Sequence, residues 1–566
     1  MAAACDDGLS HRLDVHALAS IGASGKWPSN FVRDFQSKIH KEYNIPDLTL
    51  EVTTQRCSKT IGKHAKSSCE VLCPHLFFSE LSRTSTFSSV FSTPDQWKLF
   101  WENARGEVWF EERPLKDEIL AEPEKHCPAV VWGDDAPTSR RVGRNIRELS
   151  FYCPLVADGE ADDWRIPCAV LANDEPLSEH TEQRAKTAIA LSFNSATKRV
   201  HPSTGPFPGE ALPKKLAKKA GTPLTEEGYT LTFIGFTGDL SWQQGDFDME
   251  WHYGVEECCT TCKATKHGTT LNMADARDCA PWNKPENMRT LDDYVVSFQR
   301  RFPDPAHWNP LTQIIGFNIQ GFFEDQLHCD CLGVRQHANA SCLLTLAKHE
   351  KWGPLPLRGD WDYKLDTVLS EACNDFSRWC LTNGEENTQQ VFKCLNLSMH
   401  KRSDFPILKS KGHNSVVVTK WLMKVAEGCQ DSRDVVSMFR YSLLWGLDML
   451  WNIPHDCRPR FVLTEEELEQ LAIARKSALL SFYALHHIFS TKGESLFNIT
   501  FKFHQCDHMR RRQIRSKLAC WLFWCFASEH SIGSVARVAG ATHGASTNRR
   551  AVQRFICFFW GTKVAP

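Results

Sequence analysis

Three acidic residues stand where carboxylates can do metal-assisted chemistry. Asp134 ends the apolar run Ala129-Val-Val-Trp-Gly133, Asp239 ends the run Tyr229 to Gly238, and Glu529 follows the helix-like apolar run Ala519 to Ala527. Two carboxylates at strand ends and one on a late helix form a donor set for two Mg²⁺ ions about 3.5–4 Å apart, the arrangement used in phosphodiester chemistry. Mg²⁺ prefers oxygen ligands and keeps several waters, so three carboxylates suffice. A buried strand fixes its terminal acid while the tip stays open. The spacings are 105 and 290 residues, and the second gap leaves room for an inserted domain. Each acid also has a plainer reading. Asp134 and Asp239 can be turn or capping residues, Asp135 competes for the role of Asp134, and Glu529 can balance the dipole of a helix near Ile532.

The elements that must position these acids follow from periodicity. Strand-like runs cover Ala129–Gly133, Glu148–Val156, Ile166–Leu171 and Tyr229–Thr237, with turn residues between them. Helical spacing predicts helices over Ser29–Tyr43, Asp95–Ala104, Glu182–Leu191, Leu365–Leu381, Ser415–Glu427, Ser432–Leu450, Thr464–Phe489, Gln513–Ala527 and Ile532–Ala539. Strands come first, helices next, and a closing helix last. That order predicts an α/β core with a mixed sheet, split by a large helical insertion. The expected divisions are 1–120 (mixed and helical), 121–250 (first part of the core), 251–290 (a Cys/His-containing insertion), 291–500 (helical insertion) and 501–566 (a basic segment completing the core).

Length and charge constrain the rest. A chain of 566 residues is long enough for more than one domain. Its net charge of −2 means that any nucleic-acid surface must be local. The basic charge is local: from Phe501 to Pro566 eleven Lys/Arg face only Asp507 and Glu529. Arg510, Arg511, Arg512, Arg515, Lys517, Arg537, Arg549 and Arg550 are therefore the expected phosphate contacts. A second basic run, Lys214-Lys215 with Lys218-Lys219, reads equally as a solvated loop. The 23 cysteines are scattered and odd in number, and Met1 to Ser10 shows no charged segment followed by an apolar one. Together these predict free thiols in an intracellular, reducing compartment. The strongest apolar stretches are far shorter than the roughly 18 residues of a membrane span.

Three Cys/His clusters are candidate metal or support sites. Cys259 and Cys262 form one Cys-x-x-Cys pair, half of the four ligands that a structural zinc needs. His252, His267 and Cys279 lie nearby without a standard spacing, and loop thiols are the plainer reading. Asp325-Gln-Leu-His328 precedes Cys329-Asp-Cys331, and His504-x-x-x-His508 would share one face if helical. Each of these histidines can also be a satisfied core residue. The Gly133-Asp134-Asp135 triplet matches the Gly-Asp-Asp of RNA-directed RNA polymerases, but the 130 or so residues before it contain no catalytic aspartate strand or fingers region.

Five motifs in order carry a resemblance. Trp132-Gly-Asp-Asp-Ala-Pro137 with the strand Glu148-Leu-Ser-Phe-Tyr152 is the first, and Phe236-Thr-Gly-Asp-Leu240 with Trp251-His252 and Cys259-x-x-Cys262-Lys-Ala264 the second. Asp325-x-x-His328 with Leu332-Gly333-Val334 is the third. Leu496 to Phe503 with His504 and His508 is the fourth, and Phe526-Ala-Ser-Glu529 with Gly533, Arg537 and His543 the fifth. Spanning roughly residues 128 to 545, this set resembles cut-and-paste DNA transposases of the CACTA-like group and transposase-derived protist proteins. The resemblance implies an RNase H-like core and Mg²⁺- or Mn²⁺-dependent DNA cleavage and strand transfer by Asp134, Asp239 and Glu529. It also implies a supporting role for Asp325 and His328, DNA as partner, and a nuclear location. Homo-oligomerisation and a zinc at Cys259 and Cys262 stay open. Phe501 stands where the family often has Pro, Asp135 doubles the first acid, and Ser528-Glu529-His530 lacks a second acid. Cys57, Cys69 and Cys73 with His64 or His75 do not space as a DNA-binding finger. The alternative is a catalytically inactive, transposon-derived DNA- or protein-binding module. A zinc-stabilised helical scaffold with no nucleic-acid role is the third reading.

Overall fold

The computed structural model describes residues 44–57, 64–138, 145–156, 165–172, 179–207, 209–386, 405–540 and 544–564. The helix expected over Ser29–Tyr43 lies outside the described residues. A four-stranded mixed sheet has the order β5-β4-β3-β6. Its strands are β3 (His126–Pro137), β4 (Asn145–Tyr152), β5 (Ile166–Ala172) and β6 (Thr230–Gly238). β3 runs antiparallel to β4 and parallel to β6, and β4 runs antiparallel to β5. A separate hairpin pairs β1 (Thr49–Cys57) with β2 (His64–Leu72).

All of β6 and the first eight residues of β3 are buried. These strands are continuous apolar runs, without polar alternation, because both sheet faces are covered. Among the described residues the α-helices of eight residues or more are α1 (Pro74–Leu81), α2 (Pro94–Ala104), α3 (Glu179–Thr197), α4 (Leu240–Phe247), α5 (Leu291–Arg301), α6 (Arg335–Lys348) and α7 (Trp361–Asn383). They continue as α8 (Gly412–Glu427), α9 (Val435–Asp456), α10 (Glu465–Thr491), α11 (Phe501–Ser516), α12 (Phe526–Gly540) and α13 (Gly544–Phe559). α3 packs on β6, α12 on β3 and β4, and α13 on β5. Residues from the far end of the chain therefore close around a sheet made before residue 239. The chain is a mixed α/β protein with a large helical region, and among the described residues no helix is long and apolar enough to cross a membrane.

Local chemistry sets several boundaries. α5 and α10 open on capping boxes, Thr290 with Asp293 and Thr464 with Glu467, each satisfying two otherwise orphaned backbone N–H groups. α9 and α10 touch backbone to backbone at Gly446, where an added Cβ would lie 2.6 Å from the Ala478 nitrogen.

One expected helix is absent. The run Gln513–Ala527 is not a single helix, because α11 ends at Ser516 and Lys517 takes a left-handed φ of 60°. The apolar residues beyond it form a buried extended stretch and a short 3₁₀ turn, Cys520–Phe523. Their hydrophobicity reports core burial rather than helical period. Glu529 consequently sits inside the first turn of α12 rather than after a helix.

Glu148, on β4 directly opposite Asp134, is fully buried and neither carboxyl oxygen has a hydrogen-bond partner. Burial pushes its pKa up to about 8. The folded state therefore holds a proton that the unfolded chain releases near its ordinary value of 4.5. Below that value Glu148 costs nothing; as pH rises towards 8 the cost grows, and above 8 it is complete. Glu148→Gln is expected to match the wild type near pH 4.5 and to exceed its stability by on the order of 4 kcal/mol above pH 8. Urea melts across that range check this. A pH-independent difference would show that the site holds a partnered carboxylate.

Candidate functional site

The parallel pairing of β3 with β6 sets Gly133 opposite Gly238. The next residues, Asp134 (inside β3, which runs on to Pro137 beside β4) and Asp239 (just past the end of β6), thus lie side by side where the β3–β6 pairing ends, with backbones about 4.8 Å apart. Asp239 is also the N-cap of α4, accepting a hydrogen bond from the Trp242 backbone N–H at 2.6 Å. The Trp242 indole lies across both glycines. A Cβ at Gly133 would come within 2.2 Å of that ring, and one at Gly238 within 2.6 Å. Glycine before each acid is therefore required for the tryptophan to lie across both strands where their pairing ends.

Alternation along β3 separates the two candidates for first acid. Asp135 points away from Asp134 and receives two hydrogen bonds from Arg147, at 2.8 and 3.1 Å. Arg147 also reaches Glu182, while Lys186 bridges Glu182 and Asp246. Asp135 is thereby committed to a charged network beside the sheet, and Asp134 is the one left at the centre.

α12 brings Glu529 to Asp134. Burial, then the charges of Glu529 and Asp239, push the Asp134 carboxyl up to about 8, and Asp134 makes a hydrogen-bonding contact with Glu529. Burial raises Glu529 as well, opposed by the nearby His328. His328 opens towards this acid: its Nε2 lies 3.8 Å from Glu529 Oε1, while its Nδ1 donates to Asp325 Oδ2 at 2.6 Å. Burial alone would lower the His328 imidazole. The hydrogen bond and charge of Asp325, with Glu529 and Asp239, outweigh it and raise the group to about 9.

Asp325 is a saturated anchor. Oδ1 accepts the backbone N–H of Leu327 at 3.0 Å and of Cys525 at 2.7 Å, and Oδ2 accepts that of His328 at 3.0 Å. These bonds tie the start of a π-helix, Leu327–Val334, to the segment that leads into α12. Asp325, His328 and Cys525 lie close enough to hold a metal ion. Four N–H donors on the one carboxylate instead make Asp325 a brace that aims His328 at Glu529.

A second centre joins the Cys-x-x-Cys pair to α11. Cys259, Cys262, His504 and His508 are all buried, with ligand atoms within 4.8 Å of one another. Cys262 Sγ lies 3.3 Å from the Nε2 atoms of both histidines, Cys259 Sγ is 3.6 Å from His508 Nε2, and the two Nε2 atoms are 3.0 Å apart. Tetrahedral zinc bonds of the usual length give ligand separations of about 3.3–3.8 Å, so the four residues could bind a metal such as zinc. His504 Nδ1 meets the Met273 carbonyl at 3.2 Å, the outer contact that fixes a ligating histidine's tautomer. Trp282 packs against both imidazoles, with ring centres 4.4 and 4.7 Å away. His252, His267 and Cys279 do not belong to this group. The helical i,i+4 spacing of His504 and His508 is the signal in the sequence that completes it.

The basic segment is corrected in part. Arg510 is fully buried between Asp330 and Gln513, and Arg512 is buried beside Glu107 and Glu324. Arg511 is spent on Asp507 and lies over Trp282, Arg515 pairs with Glu107, and Lys517 with Glu465. α11 is largely a core helix: Arg510 and Arg512 neutralise acids from distant segments, Arg511 pairs with Asp507 on its own helix, and Arg515 stays exposed beside Glu107. Arg537, Arg549 and Arg550 remain on the surface of α12 and α13, joined there by Arg554 and Phe558. Arg165 was not anticipated: it is buried, stacks on Tyr152 and donates to Ser528, next to Glu529.

No protein-family model matches this chain, and no curated protein matches it.

Proposed function

We propose that the chain is a transposase-like nuclease on an RNase H-like core, with Asp134, Asp239 and Glu529 as its metal-binding acids. The observation that carries this reading is their convergence. Residues 105 and 290 positions apart gather at one end of a mixed sheet, and no structural requirement of a generic α/β fold brings three acids together. Burial and mutual repulsion hold Asp134 protonated near neutral pH, which a hard divalent cation with oxygen ligands would relieve. When bound, Mg²⁺ or Mn²⁺ supplies an activated water or 3′-hydroxyl and stabilises the leaving oxygen. The chain's own residues do the positioning. β3 and β6 hold the two aspartates, the Trp242 ring closes over their glycines, and Asp325 orients His328 against Glu529. Arg537, Arg549 and Arg550 would grip the DNA backbone outside the acid centre. Zinc at Cys259, Cys262, His504 and His508 would be structural, since all four ligand positions are protein groups.

The test is nicking of supercoiled DNA by the purified full chain in Mg²⁺ or Mn²⁺, with EDTA as control. Metal-dependent nicking is expected. Absence of nicking with salt-sensitive DNA binding retained would instead assign the chain to the inactive, transposon-derived binding modules.

A further inference from the structure

Lys502 lies beside the acid centre, and nothing above gives it a task. It is the second residue of α11, and its Nζ donates to the Leu332 carbonyl at 3.1 Å, inside the π-helix that begins beside His328. Its stem runs over Gly333, where an added Cβ would come within 2.9 Å of Lys502 Cβ and Cδ. Glycine is thus what lets the lysine cross the π-helix and reach the site. π-Helical turns occur frequently at functional sites because they redirect side chains.

The ammonium carries three donors, and one is used. The Gly333 position it crosses lies against the His328 carbonyl. Among the described residues it closes no ion pair, although Asp239 and Asp325 are near enough for their charges to act on it. A half-buried ammonium with spare donors is costly unless an anion completes it. The other cations of the region are committed: His328 to Asp325 and Glu529, Arg165 to Ser528 and Tyr152, Arg510 to Asp330. A compact point charge on a flexible stem is suited to a phosphate oxygen.

We propose that Lys502 is the phosphate contact of the acid centre, its ammonium held by Leu332 above Gly333 to receive a non-bridging oxygen of the scissile DNA strand. The proposal rests on the nuclease reading, and its test separates the two. In the full chain, Lys502→Met keeps an apolar stem over Gly333 and removes the charge, while Lys502→Arg keeps the charge. Binding of a short DNA duplex is measured against NaCl in Ca²⁺, and single-turnover nicking in Mg²⁺. The methionine variant is expected to lower the slope of log affinity against log salt by about one. It is also expected to slow nicking about a hundredfold with an unchanged thermal midpoint, and the arginine variant should keep the slope. An unchanged slope overturns the assignment, and a slow variant with a lowered midpoint marks Lys502 as a packing residue. A wild-type chain that nicks nothing, while the methionine variant still lowers the slope, removes the nuclease reading and leaves Lys502 as a phosphate contact.

Discussion

Asp239→Asn is expected to lower Mg²⁺-dependent nicking about a thousandfold, a loss of about 4 kcal/mol of transition-state stabilisation. Asparagine is the informative substitution because Asp239 has two jobs. Its charge acts on Asp134 and it is one of the three proposed metal ligands, and it also caps α4 through the Trp242 backbone. Asparagine caps a helix as well as aspartate does, whereas alanine would add a stability cost of about 1 kcal/mol. The amide removes one negative charge from beside Asp134, so the Asp134 carboxyl should also ionise at lower pH. Loss of nicking with an unchanged melting curve would isolate the ligand role. Full activity in the asparagine variant would remove Asp239 from the site.

The second large effect is expected at the Cys/His centre. The purified chain should carry one equivalent of zinc, and Cys262→Ala should carry none. Metal binding at four buried ligands is folding energy, with apparent values of about 10–16 kcal/mol in zinc-finger peptides. The variant should therefore melt several degrees lower and expose the small core of Cys258, Met273, Ala280, Trp282 and Phe501 around the site. The loss should reach the acid centre too. α11 holds His504 and His508, and the same helix braces the π-helix through Arg510 on Asp330 and Lys502 on Leu332. Nicking should fall with zinc content when a zinc-selective chelator is titrated in excess Mg²⁺. Elemental analysis that finds no metal in the wild type, with equal melting of the two proteins, would assign the cluster to ordinary buried thiols and imidazoles.

The two aspartates were legible because two local patterns coincided: an apolar run long enough for a buried strand, and a glycine-aspartate pair following it. Only Asp239 ends its strand, however: β3 continues past Asp134 to Pro137, where the hairpin partner β4 keeps it extended. The helices over 361–383, 412–427, 435–456 and 465–491 were legible from their period alone. The stretch 513–527 misled because continuous hydrophobicity suits a buried extended segment as well as a helix. The arginines of α11 misled for a different reason. A run of like charges reads as solvent-exposed, and the acids that bury these residues, Glu107, Glu324 and Asp330, come from elsewhere in the chain.

The sequence by itself did not mark the β1–β2 hairpin or the helices α1, α4, α5, α6, α11 and α13. It marked the strands of the larger sheet, the long helices between 361 and 491, the two glycine-aspartate pairs, the Cys-x-x-Cys pair and the i,i+4 histidines, since each is a short-range pattern tied to backbone period. Only the tertiary structure decided which of these meet. It placed Asp134 rather than Asp135 at the centre, because alternation gives Asp135 to Arg147. It joined Cys262 to His504 across 242 residues, brought Glu529 to Asp134, and drew Arg510 and Arg512 of the basic run into core ion pairs. Spacing along a chain reports what one element can present. The partners that a buried charge or ligand finds depend on how distant elements pack, and that is set by the burial of the whole core.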